Sequence, residues 1–163
     1  MPNGTIACRE VPTLPAGSIY HLNKKAWFNE QIMLDWIVHV LAPYVATVPL
    51  GIFPVVFLDQ FRVHKMGLIV NAIQALGVQV EFIPAGCTGL VQPVDVGFNK
   101  AFKCKMHNKF LKWMMLQDPN VPIPGYTHHN VAQWIINVQN NISMETICNT
   151  WWKTGFSYYP ENP

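Results

Sequence analysis

A continuous apolar run ends at a carboxylate near the middle of the chain. Residues 53–58 (FPVVFL) carry no polar side chain, and Asp59 follows directly. A run of this kind indicates a strand that is covered on both faces, as in the parallel sheets of α/β proteins. Pro54 belongs near its start, because proline cannot donate a hydrogen bond to a neighbouring strand. The run therefore predicts a buried strand whose carboxyl end carries Asp59.

The segments after this run predict a second strand that lies parallel to the first. Residues 65–76 place apolar side chains at helical spacing and end at Gly77, and residues 78–83 (VQVEFI) have the pattern of a strand. A glycine-rich loop over residues 85–93 then leads into a long helix over residues 94–116. Because strands and helices alternate in this order, the sequence predicts an α/β fold with a parallel pair of strands.

The residues before the apolar run predict one helix and one short strand. Residues 29–41 have apolar side chains at helical spacing, with Asn29 placed to cap the helix and Pro43 placed to end it. Prolines and glycines interrupt most of the preceding residues, and only residues 18–23 (SIYHLN) have the pattern of a strand. The amino-terminal part is therefore expected to be largely irregular.

The carboxyl-terminal part predicts a linker and two short helices. Residues 118–125 (DPNVPIPG) are rich in proline, and helical patterns follow over residues 128–140 and residues 144–153. Ser143 is placed to cap the last helix and Gly155 to end it. In outline the two helices resemble a helix-turn-helix. They contain a single lysine and no arginine, so packing is favoured over the reading of a DNA groove.

The content of charged residues limits the classes of protein to which the chain can belong. The chain has 163 residues, enough for one domain with a core, and half of them are hydrophobic. Charged residues make up 12%, about half of the usual share of roughly 25%. Either part of the surface is therefore expected to be covered by something else, or the chain is expected to be a piece of a larger domain. The net charge of +2 is not the balance of a dedicated nucleic-acid binder, so a basic surface requires local clustering.

The four cysteines and the hydropathy pattern favour a reducing compartment. The cysteines form no CxxC pair, which predicts free, partly buried thiols rather than a zinc site, although Cys104 and His107 could share a helix face. No signal peptide is visible, and no stretch approaches the roughly 18 apolar residues of a membrane span. No membrane is therefore expected among the partners.

Two carboxylates are expected at the same edge of the sheet. Asp59 follows the first strand, and Asp95 follows the loop after the second strand and opens the long helix. Each also has a structural interpretation: Asp59 as a turn residue and Asp95 as a carboxylate stabilised by the helix dipole. Two close carboxylates repel each other unless a cation bridges them, and oxygen ligands suit Mg²⁺ or Mn²⁺. The pair therefore predicts a metal site for phosphoryl transfer.

Several polar residues surround these two positions. Asn99 lies four residues after Asp95 on the same helix face, where it could orient the carboxylate or be a plain surface residue. His64 follows Asp59 closely and is a second supporting candidate. The candidates for contact with DNA phosphates are Arg62, Lys65, Lys100 and Lys103. The long helix also carries Lys105, Lys109 and Lys112, and a solvated face is the alternative interpretation of its lysines.

Four blocks of sequence resemble a known family. They are residues 25–37 (KAWFNEQIMLDWI), residues 58–65 (LDQFRVHK), residues 83–103 (IPAGCTGLVQPVDVGFNKAFK) and residues 151–156 (WWKTGF). Together they resemble the DDE superfamily endonuclease domain of pogo-like transposases, from about residue 18 to the end of the chain.

The resemblance implies a fold, an activity and a partner. The fold is similar to ribonuclease H, and three acidic residues bind the metal ions that cut and join DNA strands. Asp59 and Asp95 correspond to the second and third acids, so both are implied to be catalytic and metal-binding. DNA is the implied partner, and the nucleus is the implied location. The predicted segments are residues 1–17 (irregular), residues 18–117 (partial catalytic domain), residues 118–126 (linker) and residues 127–163 (helical extension).

One departure from the family pattern stands at the start of the chain. The family's first acid lies on an opening strand ahead of the block at residues 25–37, and no acidic strand precedes that block here; Glu10, between helix and strand breakers, is not expected to replace it. The sequence therefore predicts an incomplete ribonuclease H-like fold whose opening strands are missing and whose cleavage is impaired. The alternatives are a non-catalytic, host-adopted DNA-binding or protein-interaction module and a pseudogene fragment.

An incomplete sheet has a physical consequence. The strand that ends at Asp59 is expected to have an unpaired edge and exposed apolar surface. A second copy of the chain or another partner is expected to cover this edge.

Overall fold

The computed structural model describes residues 10–23 and residues 27–156. The chain divides into two compact units. We call Ala26–Gln92 the sheet unit, and Met1–Lys25 together with Pro93–Pro163 the helical unit. The domain boundaries expected from the sequence stay a prediction.

The sheet unit contains both strands of the described residues. Its elements are α1 (Glu30–Trp36), a π-helical turn (Ile37–Leu41), α2 (Ala42–Val45), β1 (Val55–Leu58), α3 (Gly67–Gln74), β2 (Gln79–Phe82) and α4 (Thr88–Val91). The strands β1 and β2 are parallel, with Val55 opposite Gln79 and Leu58 opposite Phe82. The predicted parallel pair, and the helix that connects its strands, are therefore confirmed. The described chain is a mixed α/β structure, while the ribonuclease H-like topology stays a prediction.

The predicted burial of the first strand on both faces is wrong. Val55 is 42% exposed, and within β1 only Leu58 is buried. The physical reason is that β1 has one strand neighbour among the described residues, so little covers its start. The expected exposed apolar surface is present here, because Leu50, Ile52 and Phe53 are also exposed. That a partner covers it stays a prediction.

The helix that begins at Glu30 is longer than its proline suggests. Asn29 caps it as predicted, since its Oδ1 accepts a hydrogen bond from the Ile32 amide at 3.0 Å. The predicted end at Pro43 is wrong, because helical structure continues to Val45. A π-helical turn precedes the proline, and the wider turn accommodates a ring that would clash with the preceding carbonyl of a regular α-helix.

The core of the sheet unit lies where the first helices and α3 meet the strands. Ile69 and Ile73 of α3 are completely buried. The other buried members of this core are Met33, Ile37, Leu41, Leu58 and Val78. Gly77, with φ of +76°, ends the connection from α3 into β2, as its position in the sequence predicted.

The loop after β2 contains an element that the sequence did not predict. Residues 85–93 were expected to be a glycine-rich loop, but α4 occupies Thr88–Val91. Gly86 turns the backbone at φ of +77°, and the Leu90 and Val91 amides then both donate to the Cys87 carbonyl at 2.9 Å. The helix stays short because Pro93 follows one residue after its cap.

The helical unit has the long helix, which opens with a π-helical turn, and the two closing helices predicted for the second half of the chain, and in addition one 3₁₀ turn that was not predicted. Its elements are a 3₁₀ turn (Val11–Thr13), a π-helical turn (Val94–Phe98), α5 (Asn99–Met115), α6 (His128–Asn140) and α7 (Met144–Thr154). Thr127 caps α6 in a reciprocal pair with Asn130, and Ser143 caps α7 through the Thr146 amide. Gly155 ends α7 at φ of +76°. Both closing helices and their caps at Ser143 and Gly155 are therefore confirmed.

The helix α6 packs against α5 through aromatic side chains. Phe110 and Trp113 of α5 surround Trp134 of α6 and Tyr126 of the linker, with ring centroids 5.8 to 6.4 Å apart. Stacked and edge-on contacts between aromatic rings stabilise the packing beyond the burial of their area. The apolar pattern of α6 is thereby explained by packing.

The short strand expected over residues 18–23 is not formed in the described structure. Instead, the Tyr20 hydroxyl donates a hydrogen bond of 2.7 Å to the Pro15 carbonyl. The segment folds back on its own preceding residues, and a strand exists only where another backbone pairs with it.

The state of the cysteines and the length of the apolar helices can be compared with the predictions about redox compartment and membrane. Cys87, Cys104 and Cys148 are free thiols, as expected, although Cys104 is exposed rather than partly buried. Cys8 lies outside the described residues. Within the described part of the chain, no helix is both long enough and apolar enough to cross a bilayer.

Candidate functional site

Asp59 lies directly after β1, at the carboxyl end of the parallel pair. Its Oδ1 accepts a hydrogen bond of 2.9 Å from the Phe61 amide and lies 2.7 Å from Nδ1 of His64. Both hydrogen bonds use the same oxygen, and Oδ2 has no hydrogen bond within the described residues. The side chain is 35% exposed. One oxygen is therefore fixed by the turn, and the other is available to a ligand.

His64 is held between two aromatic rings. Phe28 and Phe61 approach it edge-on, with centroids 6.3 and 5.4 Å from its ring. The imidazole is 20% exposed, so most of its surface is covered. The rings restrict its rotation and direct Nδ1 at Asp59. The sequence indicated His64 as a supporting residue but contained no signal for Phe28. The helices α1 and α2, the π-helical turn and β1 lie between these two residues in the chain.

Asp95 lies in the π-helical turn that opens the long helix. The Asn99 amide nitrogen donates a hydrogen bond of 2.7 Å to Asp95 Oδ1, from one helical turn further along. Asp95 is exposed, and its Oδ2 has no hydrogen bond in the described part of the chain. Asn99 thus contacts the carboxylate that the sequence suggested it could orient. The arrangement repeats that of Asp59, with one oxygen held and one free.

The turn that carries Asp95 packs closely against α7. A Cβ atom on Gly97 would lie 2.6 Å from Cγ2 of Thr150, a distance that real contacts do not reach. Thr150 is buried, and its hydroxyl donates to the Ile147 carbonyl at 2.7 Å. The glycine therefore allows α7 to support the backbone of Asp95. Gly97 was not among the predicted site residues, although a glycine inside a helical segment is a signal of close approach.

We expect Gly97→Ala to lower the free energy of unfolding by about 1–3 kcal/mol, the usual range for an overpacked core. Thr150→Ser removes Cγ2 but keeps the hydroxyl, so the penalty of Gly97→Ala should shrink in that background. Thermal and urea unfolding of the four proteins in this cycle measures the coupling. Equal penalties in both backgrounds would show that the contact does not determine the effect.

The basic candidates are distributed over both units. Arg62 and Lys65 are exposed in the turn between β1 and α3, close in sequence to Asp59. Lys100 and Lys103 are exposed on α5, in the first turns after Asp95. Each unit therefore contains one carboxylate, one supporting residue and two exposed basic residues.

The two carboxylates belong to different units, Asp59 to the sheet unit and Asp95 to the helical unit. The described residues contain no group of three or more His, Cys, Asp or Glu placed to hold a metal ion. Their joint role as catalytic and metal-binding residues stays a prediction.

Comparisons with known proteins identify relatives over most of the chain. The family model of the DDE superfamily endonuclease matches residues 7–151. Jerky protein of Mus musculus is 27% identical over an alignment of 142 residues, which covers 83% of this chain and 23% of that protein. Pogo transposable element with KRAB domain of Homo sapiens is 23% identical over an alignment of 137 residues, which covers 82% of this chain and 22% of that protein. No solved structure matches the chain.

The extent of these matches limits what they show. The chain spans less than a quarter of the length of either relative. The matched region contains Asp59 and Asp95, with the turns that carry them.

Proposed function

Since the chain belongs to the DDE superfamily endonuclease family, we propose that it is a transposase-derived DNA-binding domain in which Asp59 and Asp95 bind Mg²⁺ or Mn²⁺. The observation that carries this proposal is that the matched region contains Asp59, directly after β1, and Asp95, in the turn that opens the long helix, each with one oxygen held by a local hydrogen bond and one free. A ribonuclease H-like arrangement of the complete catalytic domain, and a nuclear location with access to DNA, are part of the proposal.

The donor atoms fit a hard divalent cation. Mg²⁺ and Mn²⁺ prefer carboxylate and water oxygens, and a carboxylate that binds such an ion is usually held by an outer hydrogen bond. His64 supplies that hydrogen bond to Asp59, and the Asn99 amide supplies it to Asp95. Each free oxygen would be the ligand atom. Both carboxylates are accessible to solvent, so an ion can reach them.

The roles of the individual residues follow from these contacts. A bound ion would supply the activation of a water or hydroxyl nucleophile and the stabilisation of the leaving oxygen of a phosphodiester. Asp59 and Asp95 hold their free oxygens in fixed positions, because His64 and Asn99 restrain the other oxygen of each. Arg62, Lys65, Lys100 and Lys103 are the proposed contacts with DNA phosphates, which position the backbone without reading its sequence.

A second candidate function is a non-catalytic DNA-binding or protein-interaction module adopted by the host. One observation favours it: Asp59 Oδ1 caps its own turn through the Phe61 amide, which is a common structural role of aspartate. An aspartate kept for that role would not need a metal. Cleavage is absent in this candidate, whereas impaired cleavage with retained DNA binding belongs to the first candidate.

The experiment separates the two candidates with the 163-residue chain. Mn²⁺ binding is measured by electron paramagnetic resonance, and nicking of supercoiled DNA is measured with Mg²⁺, with Mn²⁺ and with chelator. Saturable Mn²⁺ binding together with metal-dependent nicking supports the endonuclease. Salt-sensitive DNA binding with neither metal binding nor nicking supports the module. A chain that binds neither DNA nor Mn²⁺ would contradict the endonuclease and the DNA-binding form of the module.

A further inference from the structure

The lysines of α5 lie on different faces of that helix. Lys105, Lys109 and Lys112 are spaced by four and three residues, which places them on one face. Lys100 and Lys103, the two that were candidates from the sequence, lie on another side by the same geometry. The three later lysines therefore require an explanation of their own.

These three lysines line an open groove within the helical unit. The groove has a volume of about 260 Å³. Its other walls come from the end of α6 and from the same face of α5. The lining residues are Lys105, Asn108, Lys109, Lys112, Asn137, Val138 and Asn141. Val138 is buried and forms an apolar floor, while the remaining side chains are cationic or carry an amide.

The positive charge of the groove is not neutralised by the chain. Within the described residues, none of the three lysines takes part in an ion pair. Like charges at helical spacing repel, at a cost of a few tenths of a kcal/mol for each pair. A chain with only 11 basic residues concentrates three of them here. An external anion is the partner that would relieve the repulsion.

The amides of the groove add hydrogen-bond donors. The Asn137 side-chain nitrogen donates to the Gln133 carbonyl at 2.9 Å, and that of Asn141 donates to the Asn137 carbonyl at 2.7 Å. Each amide nitrogen carries two hydrogens, so each retains one donor. Asn108 has no hydrogen bond in the described part of the chain. Lysine ammonium groups with unused amide donors are the side chains that contact phosphate oxygens.

We propose that this groove is a second DNA contact, which binds successive phosphates of the backbone through Lys105, Lys109 and Lys112. The proposal rests on the proposed function for the identity of the polyanion, and it adds a surface that the candidates Lys100 and Lys103 do not include. An open groove with charges one helical turn apart suits an extended chain of phosphates. Contacts of this type are independent of base sequence and sensitive to salt.

The test measures how DNA affinity depends on salt for the whole chain. A short duplex of arbitrary sequence is titrated at several salt concentrations with the natural chain, with the triple variant Lys105→Gln, Lys109→Gln, Lys112→Gln, and with the corresponding triple arginine variant. Each lost phosphate contact should reduce the slope of log affinity against log salt by about 0.9. We expect the glutamine variant to lose between about two and three units of slope, and the arginine variant to retain the natural slope.

Two controls make the result decisive. Lys153→Gln removes an exposed lysine of α7 that has no role in the proposal, and it should leave the slope unchanged. Circular dichroism and thermal unfolding establish that the triple variants remain folded. If the natural chain binds DNA and the glutamine variant keeps the full slope, the groove is refuted while the proposed function stands. If the natural chain shows no DNA binding, the proposed function and the groove fail together.

Discussion

Asp59→Asn and Asp95→Asn should each weaken Mn²⁺ binding by more than about 10- to 100-fold, the loss typical of residues that only support a metal ligand. Both should also remove metal-dependent nicking. Asparagine keeps one oxygen and the size of the side chain, so the hydrogen bond from the Phe61 amide to position 59 can persist. It removes the negative charge and one of the two ligand oxygens. The loss would therefore report the carboxylate rather than the turn.

Asp118→Asn is a matched control for this pair. Asp118 also caps a turn, and its Oδ1 accepts a hydrogen bond from the amide two residues later at 2.9 Å, as Asp59 does. It is exposed and lies in the linker before α6. The same change there should leave Mn²⁺ binding and nicking intact.

The comparison of all three variants also distinguishes the structural role of Asp59 from the catalytic one. If Asp59→Asn binds Mn²⁺ as the natural chain does, Asp59 serves the turn alone and the metal proposal fails. If Asp59→Asn and Asp118→Asn lower the thermal stability equally while only the former loses Mn²⁺, the turn and the metal site are separate functions of the same side chain.

The sequence predicted the elements that depend on local chemistry. Asn29, Ser143 and Gly155 each satisfy the backbone at a helix end, and the short-range geometry of a cap is independent of the rest of the fold. The parallel pair was predictable as well, because a helix between two apolar runs leaves few ways to connect them. The position of Asp59 at the carboxyl end of β1 was predictable by the same reasoning, since this residue ends the first apolar run.

The predictions that failed depended on neighbours that a linear pattern does not contain. The burial of Val55 depends on what covers β1, and the strand expected over residues 18–23 required a pairing backbone. Pro43 was expected to end its helix, but a π-helical turn gives the ring room. One turn of altered geometry is therefore enough for a helix to continue past a proline.

The parts of the candidate site that were not predicted consist of residues that are far apart in the sequence. Phe28 reaches His64 only because the fold brings the start of the sheet unit beside the turn after β1. Gly97 matters because Thr150, on the last helix, comes within reach of it. The basic groove forms because α6 ends beside the face of α5 that carries Lys105. A single sequence contains these residues but does not show which of them come into contact.

Ile73→Ala should have the largest effect on the stability of the sheet unit, lowering its free energy of unfolding by about 2–5 kcal/mol. Ile73 is completely buried in α3, within the core that includes Leu58, the residue just before Asp59. The truncation removes apolar contact and leaves a cavity beneath β1. Since Asp59 continues that strand, Mn²⁺ affinity should fall at temperatures where the variant begins to unfold, and recover on cooling.

Leu68→Ala on the same helix is the control, because Leu68 is 53% exposed and its truncation should change the free energy of unfolding by no more than about 0.5 kcal/mol. Urea unfolding followed by circular dichroism measures both variants, and fluorescence of the tryptophans tests whether the two units unfold together. A two-step curve in which only one step moves would assign that step to the sheet unit, which contains Ile73. Equal unfolding midpoints for the two variants would mean that the buried side chain of Ile73 does not stabilise β1. The expected effect of this core on Asp59 would then be wrong.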